Sequence, residues 1–270
     1  MRSEFETRRE IVEIGRRLWE RGYVAANDGN ISARLGDRIL VTPTGLSKGF
    51  LKPSDMAVVS PSGEKLSGEL DPTSELPMHL AVYGARSNVF AVVHAHPPKA
   101  TGFAVAGVPL AQCVLPEVIL TLGEVPLAGY ATPSTEEVAR SVSEFIPRYN
   151  AILLSNHGVL TLGCDLSQAY YRMETVEHFA EITLVAKALG GPSPLSSEDV
   201  RKLLSVRNKL GLEEVAECTD CGACGASSTP AGASTPGGAP QEGAEPDEEE
   251  VVRAVLARLG KLMDEKGDRR

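Results

Sequence analysis

The sequence predicts an α/β domain on a largely antiparallel sheet, followed by a tail of different character. Three observations carry this. Over residues 1–212, short apolar β-branched runs mix with amphipathic stretches of helical period. These strands and helices keep no regular strand–helix–strand rhythm, which argues against an all-parallel sheet. After Gly211 the composition changes abruptly, and residues 225–246 are dominated by Gly, Ala, Ser, Pro and Thr.

The elements follow in order. Residues Glu4 to Arg21 read as an amphipathic helix with Phe5, Ile11, Ile14, Leu18 and Trp19 near one face, stopped by Gly22. Asn27-Asp28-Gly29-Asn30 is a tight turn into a strand at Ile31–Arg34, with Arg38–Val41 as its hairpin partner. Met56–Val59 is a further strand, and Pro61–Glu64 a turn. Thr73-Ser74-Glu75 opens a helix to about Gly84, with Thr73 or Ser74 as N-cap. A strand over 89–96 precedes a helix from Pro98 to Ala106; Leu110–Leu127 is apolar and fits strand or helix. Ser134–Arg148 is a helix with a capping signal at its start, and Ala151–Leu154 a strand. Val159–Leu162 continues the sheet, and helices follow over Leu166–Leu189 and Ser196–Leu210.

The chain has 270 residues, 42% hydrophobic and 23% charged, which suits one sizeable domain with added segments. A formal charge of −9 gives no electrostatic footprint for nucleic acid or an anionic membrane. The opening residues carry no apolar signal-peptide core, and no run is long enough to span a bilayer. Five cysteines, three of them crowded between 218 and 224, argue against a disulfide framework. A reducing cytoplasm fits best.

The chemistry centres on His94, His96 and His157. The run Val89–Ala95 is apolar and β-branched, and in a strand the side chains of His94 and His96 project to the same side. A second apolar run, Ala151–Leu154, leads into Ser155-Asn156-His157-Gly158 and delivers a third imidazole. Three imidazoles with an open fourth position describe a catalytic zinc site rather than a closed structural one. The plainer alternative is that each histidine merely ends a strand. Three polar segments lie upstream: Gly29-Asn30, Thr44-Gly45 and Thr73-Ser74. Their glycine amides and hydroxyls suit an anion, with Ser74 expected at a helix N-terminus where a phosphate is favoured. Singly, each reads first as a turn or cap, and they gain weight only together with the metal.

The motifs Asn27-Asp28-Gly29-Asn30-Ile31-Ser32, Thr42-Pro43-Thr44-Gly45, Thr73-Ser74-Glu75 with His79, His94-Ala95-His96, Tyr130-Ala131-Thr132-Pro133 and Asn156-His157-Gly158 are spread over residues 5–210. In order and spacing this set resembles the class II aldolase/adducin family, nearest its fuculose-phosphate aldolase branch. The resemblance implies a three-layer α/β/α domain around a mainly antiparallel sheet and a homotetramer with sites at subunit interfaces. It implies that His94, His96 and His157 ligate one Zn2+ per subunit, and that Glu75 is the acid/base and a resting-state ligand. Gly29, Asn30, Thr44, Gly45, Thr73 and Ser74 would hold the substrate phosphate. The implied reaction is cleavage of a deoxyketose 1-phosphate, of the L-fuculose or L-rhamnulose type, to dihydroxyacetone phosphate and lactaldehyde. A sugar-phosphate 4-epimerase, a dehydratase on the same scaffold, or a non-catalytic adducin-like binding module are the alternatives. This sequence departs from the branch at Ala111–Glu117, which lacks the tyrosine proton donor that the branch supplies from a neighbouring subunit. Glu117 either contributes polar chemistry there instead or is simply an interface charge.

Of the other histidines, His79 lies one helical turn after Glu75 and either orients it or packs as a helix residue; His178 reads as structural. The expected organisation is an aldolase-like domain over 1–212, a cysteine segment and linker over 213–246, and an amphipathic terminal helix over 247–270. Cys218, Cys221 and Cys224 stand as Cys-x2-Cys-x2-Cys, a spacing that suits an additional metal or part of an iron–sulfur cluster whose fourth ligand comes from elsewhere, or exposed thiols in a tail. The terminal segment repeats Val251, Val252, Val255, Leu256, Leu259, Leu262 and Met263 at helical spacing. It resembles the peptides that dock enzymes onto a shell or cargo protein of a bacterial microcompartment, by helix-in-groove packing. The alternative is a helix that folds back on its own oligomer.

Overall fold

A computed structural model of the chain describes residues 3–212. The cysteine trio at 218–224, the linker and the expected terminal helix lie outside the described residues. Eight strands form one sheet in the order β4-β3-β2-β1-β5-β8-β7-β6. They are β1 Asn30–Leu35, β2 Arg38–Val41, β3 Ala57–Val59, β4 Lys65–Ser67, β5 Ala91–Ala95, β6 Leu127–Ala128, β7 Ala151–Leu154 and β8 Gly158–Gly163. Among the described residues the only parallel pairing joins β6 to β7; the other neighbours are antiparallel.

The helices are α1 Glu4–Glu20, α2 Leu76–Ala85, α3 Pro98–Val105, α4 Pro116–Thr121, α5 Glu136–Ser143, α6 Leu166–Ala188 and α7 Ser197–Lys209. Alternate strand residues face opposite sides. Ile31, Ala33, Ala91, Val93 and Ala95 join a core with Ile11, Ile14 and Leu18 of α1 and Phe103 of α3, and α6 adds Met173, Val176 and Phe179. On the other face Val92, Ile152, Leu154, Leu160 and Leu162 pack with Met78 and Val82 of α2 and with Val138 and Val142 of α5. The domain is therefore a three-layer α/β/α sandwich. No helix of the described residues is long and apolar enough to cross a membrane.

Several local expectations need correction. On α1 the buried stripe is Thr7, Ile11, Ile14, Gly15 and Leu18; Phe5 and Trp19 are exposed, because 3.6 residues per turn carries them well round the cylinder. Trp19 instead meets Phe50 edge-on at 5.0 Å between centroids. The N-cap of α2 is Glu75, with no side-chain cap bond, rather than Thr73 or Ser74. Helix α5 starts at a capping Thr135 and stops at Ser143, short of Arg148, the chain finishing in turns. The ambiguous Leu110–Leu127 stretch holds both forms: Leu110 bridges Val125, and α4 lies between them.

Candidate metal centre

Strand β5 sits mid-sheet between β1 and β8, with His94 opposite Asn30 on one side and Leu160 on the other. The core packs Val93 and Ala95 toward α1 and α6, so His94 points to the α2 side, where it is fully buried. His96 lies one residue beyond β5, its amide donating to the Tyr23 carbonyl at 2.8 Å. The β7–β8 turn is Ser155-Asn156-His157, with Asn156 at φ 56° and the His157 amide donating to Leu154 O at 3.0 Å. Gly158 then starts β8 against the two imidazoles. A Cβ there would stand 2.5 Å from His96 Cδ2 and 2.6 Å from Ala95 O. Only glycine lets that strand approach this closely.

One ring nitrogen from each of His94, His96 and His157 lies within 4.8 Å of the other two. The Nε2 atoms of His94 and His96 are 3.1 Å apart. Glu75 completes the group, with Oε2 3.3 Å from His94 Nε2 and Oε1 3.4 Å from His157 Nε2. Bonds of about 2.0–2.1 Å to a tetrahedral ion place ligand atoms roughly 3.3–3.4 Å apart.

The protonation pattern fits the same use. His94 Nδ1 lies 2.9 Å from Val159 O and must donate to it, which leaves Nε2 as a lone pair facing the cluster. Burial, reinforced by His96 and His157, holds the His94 pKa well below the ordinary imidazole value. Burial also lowers that of His157, against the opposing pull of Glu75. Glu75 Oε1 is buried without a hydrogen-bond partner. The His94 lone pair faces the Glu75 carboxylate, whose Oε1 has no hydrogen-bond partner, and a cation among them satisfies both. The donor set therefore fits a divalent metal, with His94, His96 and His157 to hold it and Glu75 beside it.

The three polar segments come together on the same side. Thr73 N donates to Thr42 O at 3.1 Å and Thr44 N to Asp71 O at 3.0 Å, laying Thr44-Gly45 beside Thr73-Ser74. Ile31 N donates to Thr42 Oγ1 at 3.0 Å, which ties in β1 behind Gly29-Asn30. Gly29 has φ 72°, and a Cβ on it would lie 2.7 Å from Val24 Cγ1 and 2.8 Å from His94 O. Asn30 is buried, with Oδ1 on His79 and one amide N–H on Glu75, which leaves one N–H uncommitted in this network. Thr44, Gly45 and Ser74 are exposed, Thr73 is buried, and Ser74 Oγ meets Ser134 Oγ at 2.7 Å. Glu117 is exposed in the first turn of α4, and His178 is exposed on α6.

Three contributors were not read from the sequence. Asp28 Oδ2 lies 3.5 Å from His96 Nδ1, the ring's far side. Lys48 is fully buried and donates to Asn27 O at 2.7 Å and Leu46 O at 2.6 Å, joining the loops that carry Gly29 and Gly45. Glu177 of α6 is buried and accepts the amides of Lys99 (3.1 Å) and Ala100 (2.9 Å) at the start of α3. A buried lysine and glutamate look like ordinary surface charges in a sequence. The quoted Asn-Asp-Gly-Asn turn held the only sequence signal for Asp28.

The model for the class II aldolase and adducin N-terminal domain matches residues 9–184. The chain belongs to the class II aldolase/adducin family. It is 37% identical over 180 residues to a protein of Methanococcus maripaludis named L-fuculose phosphate aldolase, covering 67% of this chain and 97% of the relative. It is also 33% identical over 195 residues to the 3-oxo-tetronate 4-phosphate decarboxylase of Cupriavidus necator, covering 71% of this chain and 89% of that one. A solved L-fuculose 1-phosphate aldolase superposes with a TM-score of 0.71 at 30% identity, covering 77% of this chain and 97% of that structure.

Proposed function

We propose that this chain is a zinc-dependent lyase acting on a phosphorylated sugar, and that its reaction is aldol cleavage of a deoxyketose 1-phosphate to dihydroxyacetone phosphate and an aldehyde. Lactaldehyde is the aldehyde if the substrate is of the L-fuculose or L-rhamnulose type. The observation that carries the reading is the convergence of His94, His96 and His157 beside the orphaned Oε1 of Glu75. A divalent cation there supplies Lewis-acid stabilisation of the negative charge left on the substrate's carbonyl and hydroxyl oxygens as the bond breaks.

The residues of this chain do the rest. The Gly29 and Gly45 amides, the remaining Asn30 side-chain N–H and the hydroxyls of Thr44, Thr73 and Ser74 hold the phosphate and so fix the reacting carbons against the histidines. In the cleavage direction, the hydroxyl beyond the breaking bond loses its proton to water, the aldehyde departs, and the carbon left behind takes up a proton that Glu75 has in turn drawn from water. Glu75 Oε1 is the oxygen placed to deliver that last proton, since Oε2 is held by Asn30. The domain's likeness to aldolases of this branch supports the aldol reading.

A second reading has its own support in the decarboxylase relative. Loss of carbon dioxide beside a ketone leaves the same kind of charge on the same kind of carbon. Incubating the purified protein with L-fuculose 1-phosphate, L-rhamnulose 1-phosphate and 3-oxo-tetronate 4-phosphate separates the two. Release of dihydroxyacetone phosphate from either ketose phosphate upholds the aldolase. Release of carbon dioxide from the tetronate alone moves the assignment to decarboxylase, and turnover of none of the three contradicts both.

A further inference from the structure

Beneath Glu75 runs a buried chain of hydrogen bonds on β1 and α2, and beyond Asn30 the reaction as described does not use it. Asn30 Nδ2 lies 2.8 Å from Glu75 Oε2. Asn30 Oδ1 lies 2.5 Å from His79 Nε2. His79 Nδ1 lies 2.6 Å from Ser32 Oγ, and Ser32 Oγ lies 2.8 Å from the Tyr83 hydroxyl. His79 and Ser32 are fully buried, and Asn30 and Tyr83 nearly so.

Each link fixes the next. An ionised carboxylate only accepts, so Asn30 turns its NH2 to Glu75 and its carbonyl oxygen to His79. A carbonyl oxygen also only accepts, so the imidazole must carry its proton on Nε2. A neutral ring has no second proton, so Nδ1 accepts, and Ser32 spends its hydroxyl proton there. Ser32 Oγ then accepts from Tyr83. The Arg34 guanidinium, 4.9 Å from the Tyr83 ring centroid, favours the phenol as a donor. Burial keeps the imidazole neutral, pushing its pKa down to about 4.

We propose that His79 is a positioning residue for Glu75: it acts through Asn30, in a chain whose protons all point toward the carboxylate, to anchor Oε2 and leave Oε1 as the working oxygen. This rests on the reading of Glu75 as the proton carrier, but the order of protons is independent of that reading. His79 itself never reaches Glu75 or the substrate. Its effect is to choose which way the Asn30 amide faces. Without a donor at Nε2, the amide is free to turn its oxygen toward Glu75, replacing an attraction with a repulsion between two acceptors.

Nitrogen NMR of the zinc-loaded, selectively histidine-labelled protein reads the order directly. The expected result is a neutral His79 protonated at Nε2 across pH 6–8 in the wild type and in Ser32→Ala, and a mixture of tautomers in Asn30→Ala, where Nε2 loses its acceptor. A wild-type ring protonated at Nδ1, or on both nitrogens, overturns the proposal. In kinetics, His79→Gln keeps an amide N–H for Asn30 and should retain kcat within a few-fold. His79→Leu should lower kcat at least tenfold with KM within twofold. A folded His79→Leu with wild-type kcat overturns the positioning role, and so does a Gln variant that falls as far as Leu. Should His79→Leu fail to fold, the wild-type tautomer and the Gln variant still decide the matter. Were no sugar phosphate turned over, the reading of Glu75 would fall, while the tautomer would still uphold or overturn the proton order.

Discussion

Oε1 of Glu75 stands 3.4 Å from Nε2 of His157, buried and with no hydrogen-bond partner, while Oε2 is held by Asn30. One carboxylate thus has two unequal oxygens. Glu75→Gln replaces one of them with an NH2 that cannot accept a proton, so kcat should fall by roughly 10²–10⁴. Bound zinc should survive, because the three imidazoles are untouched. Steady-state kinetics together with metal analysis of the variant check this; near-wild-type kcat would remove Glu75 from the chemistry.

Gly158 makes room for the histidine pair. Alanine there would press on His96 Cδ2 and Ala95 O, forcing the start of β8 away and splaying the ligands. Metal affinity should drop by about 10–100-fold, the usual effect of disturbing what orients metal ligands. Titration against a competing chelator measures it, and unchanged affinity would mean the close approach is dispensable.

Lys48 gives a pH signature. Burial lowers its pKa from 10.5 to about 8, against the opposing pull of Asp28 and Glu75. Between pH 8 and 10.5 the unfolded chain binds a proton at this lysine that the folded chain does not. Stability rises with pH wherever the unfolded state holds more protons. This residue's contribution is therefore a gain in stability as pH climbs through that window. Comparing melting temperatures of the wild type and Lys48→Met over the window isolates it. The difference between the two proteins should change in that direction, and a constant difference would contradict the buried setting.

Glu177 supplies the acceptor for the first amides of α3, the helix that leaves the site just after His96. Glu177→Leu strands two donors, at a cost of about 1–3 kcal/mol or more. The melting temperature should fall by several degrees. A variant as stable as the wild type would show that other acceptors replace it.

Much of this was legible in the sequence because strands announce themselves by short-range pattern. Val89–Val93 and Ala151–Leu154 are short apolar runs, the first rich in valine, whose length suits a buried strand better than a helix. The histidine trio followed from strand period plus a turn. What was hidden depends on pairing between distant segments. Nothing near Asn30 in the chain says that it will face His94 and His79, and the sheet register decides that. The same holds for Lys48, whose partners lie on two separate loops. The start of α2 falls later than the capping side chains of Thr73 and Ser74 suggest, because Thr73 Oγ1 accepts from Glu75 N in the turn before the helix. Leu110–Leu127 stayed ambiguous because it is apolar throughout and lacks a single period.

All of this chemistry needs His94, His96 and His157 to grip one divalent ion. Elemental analysis of the purified protein, expressed in zinc-supplemented medium and dialysed, tests it most directly when run beside His94→Ala. One zinc per chain is expected in the wild type, and loss of most of it in the folded variant. A metal-free wild type that still turns over its substrate, or a His94→Ala protein as fully loaded as its parent, would contradict it.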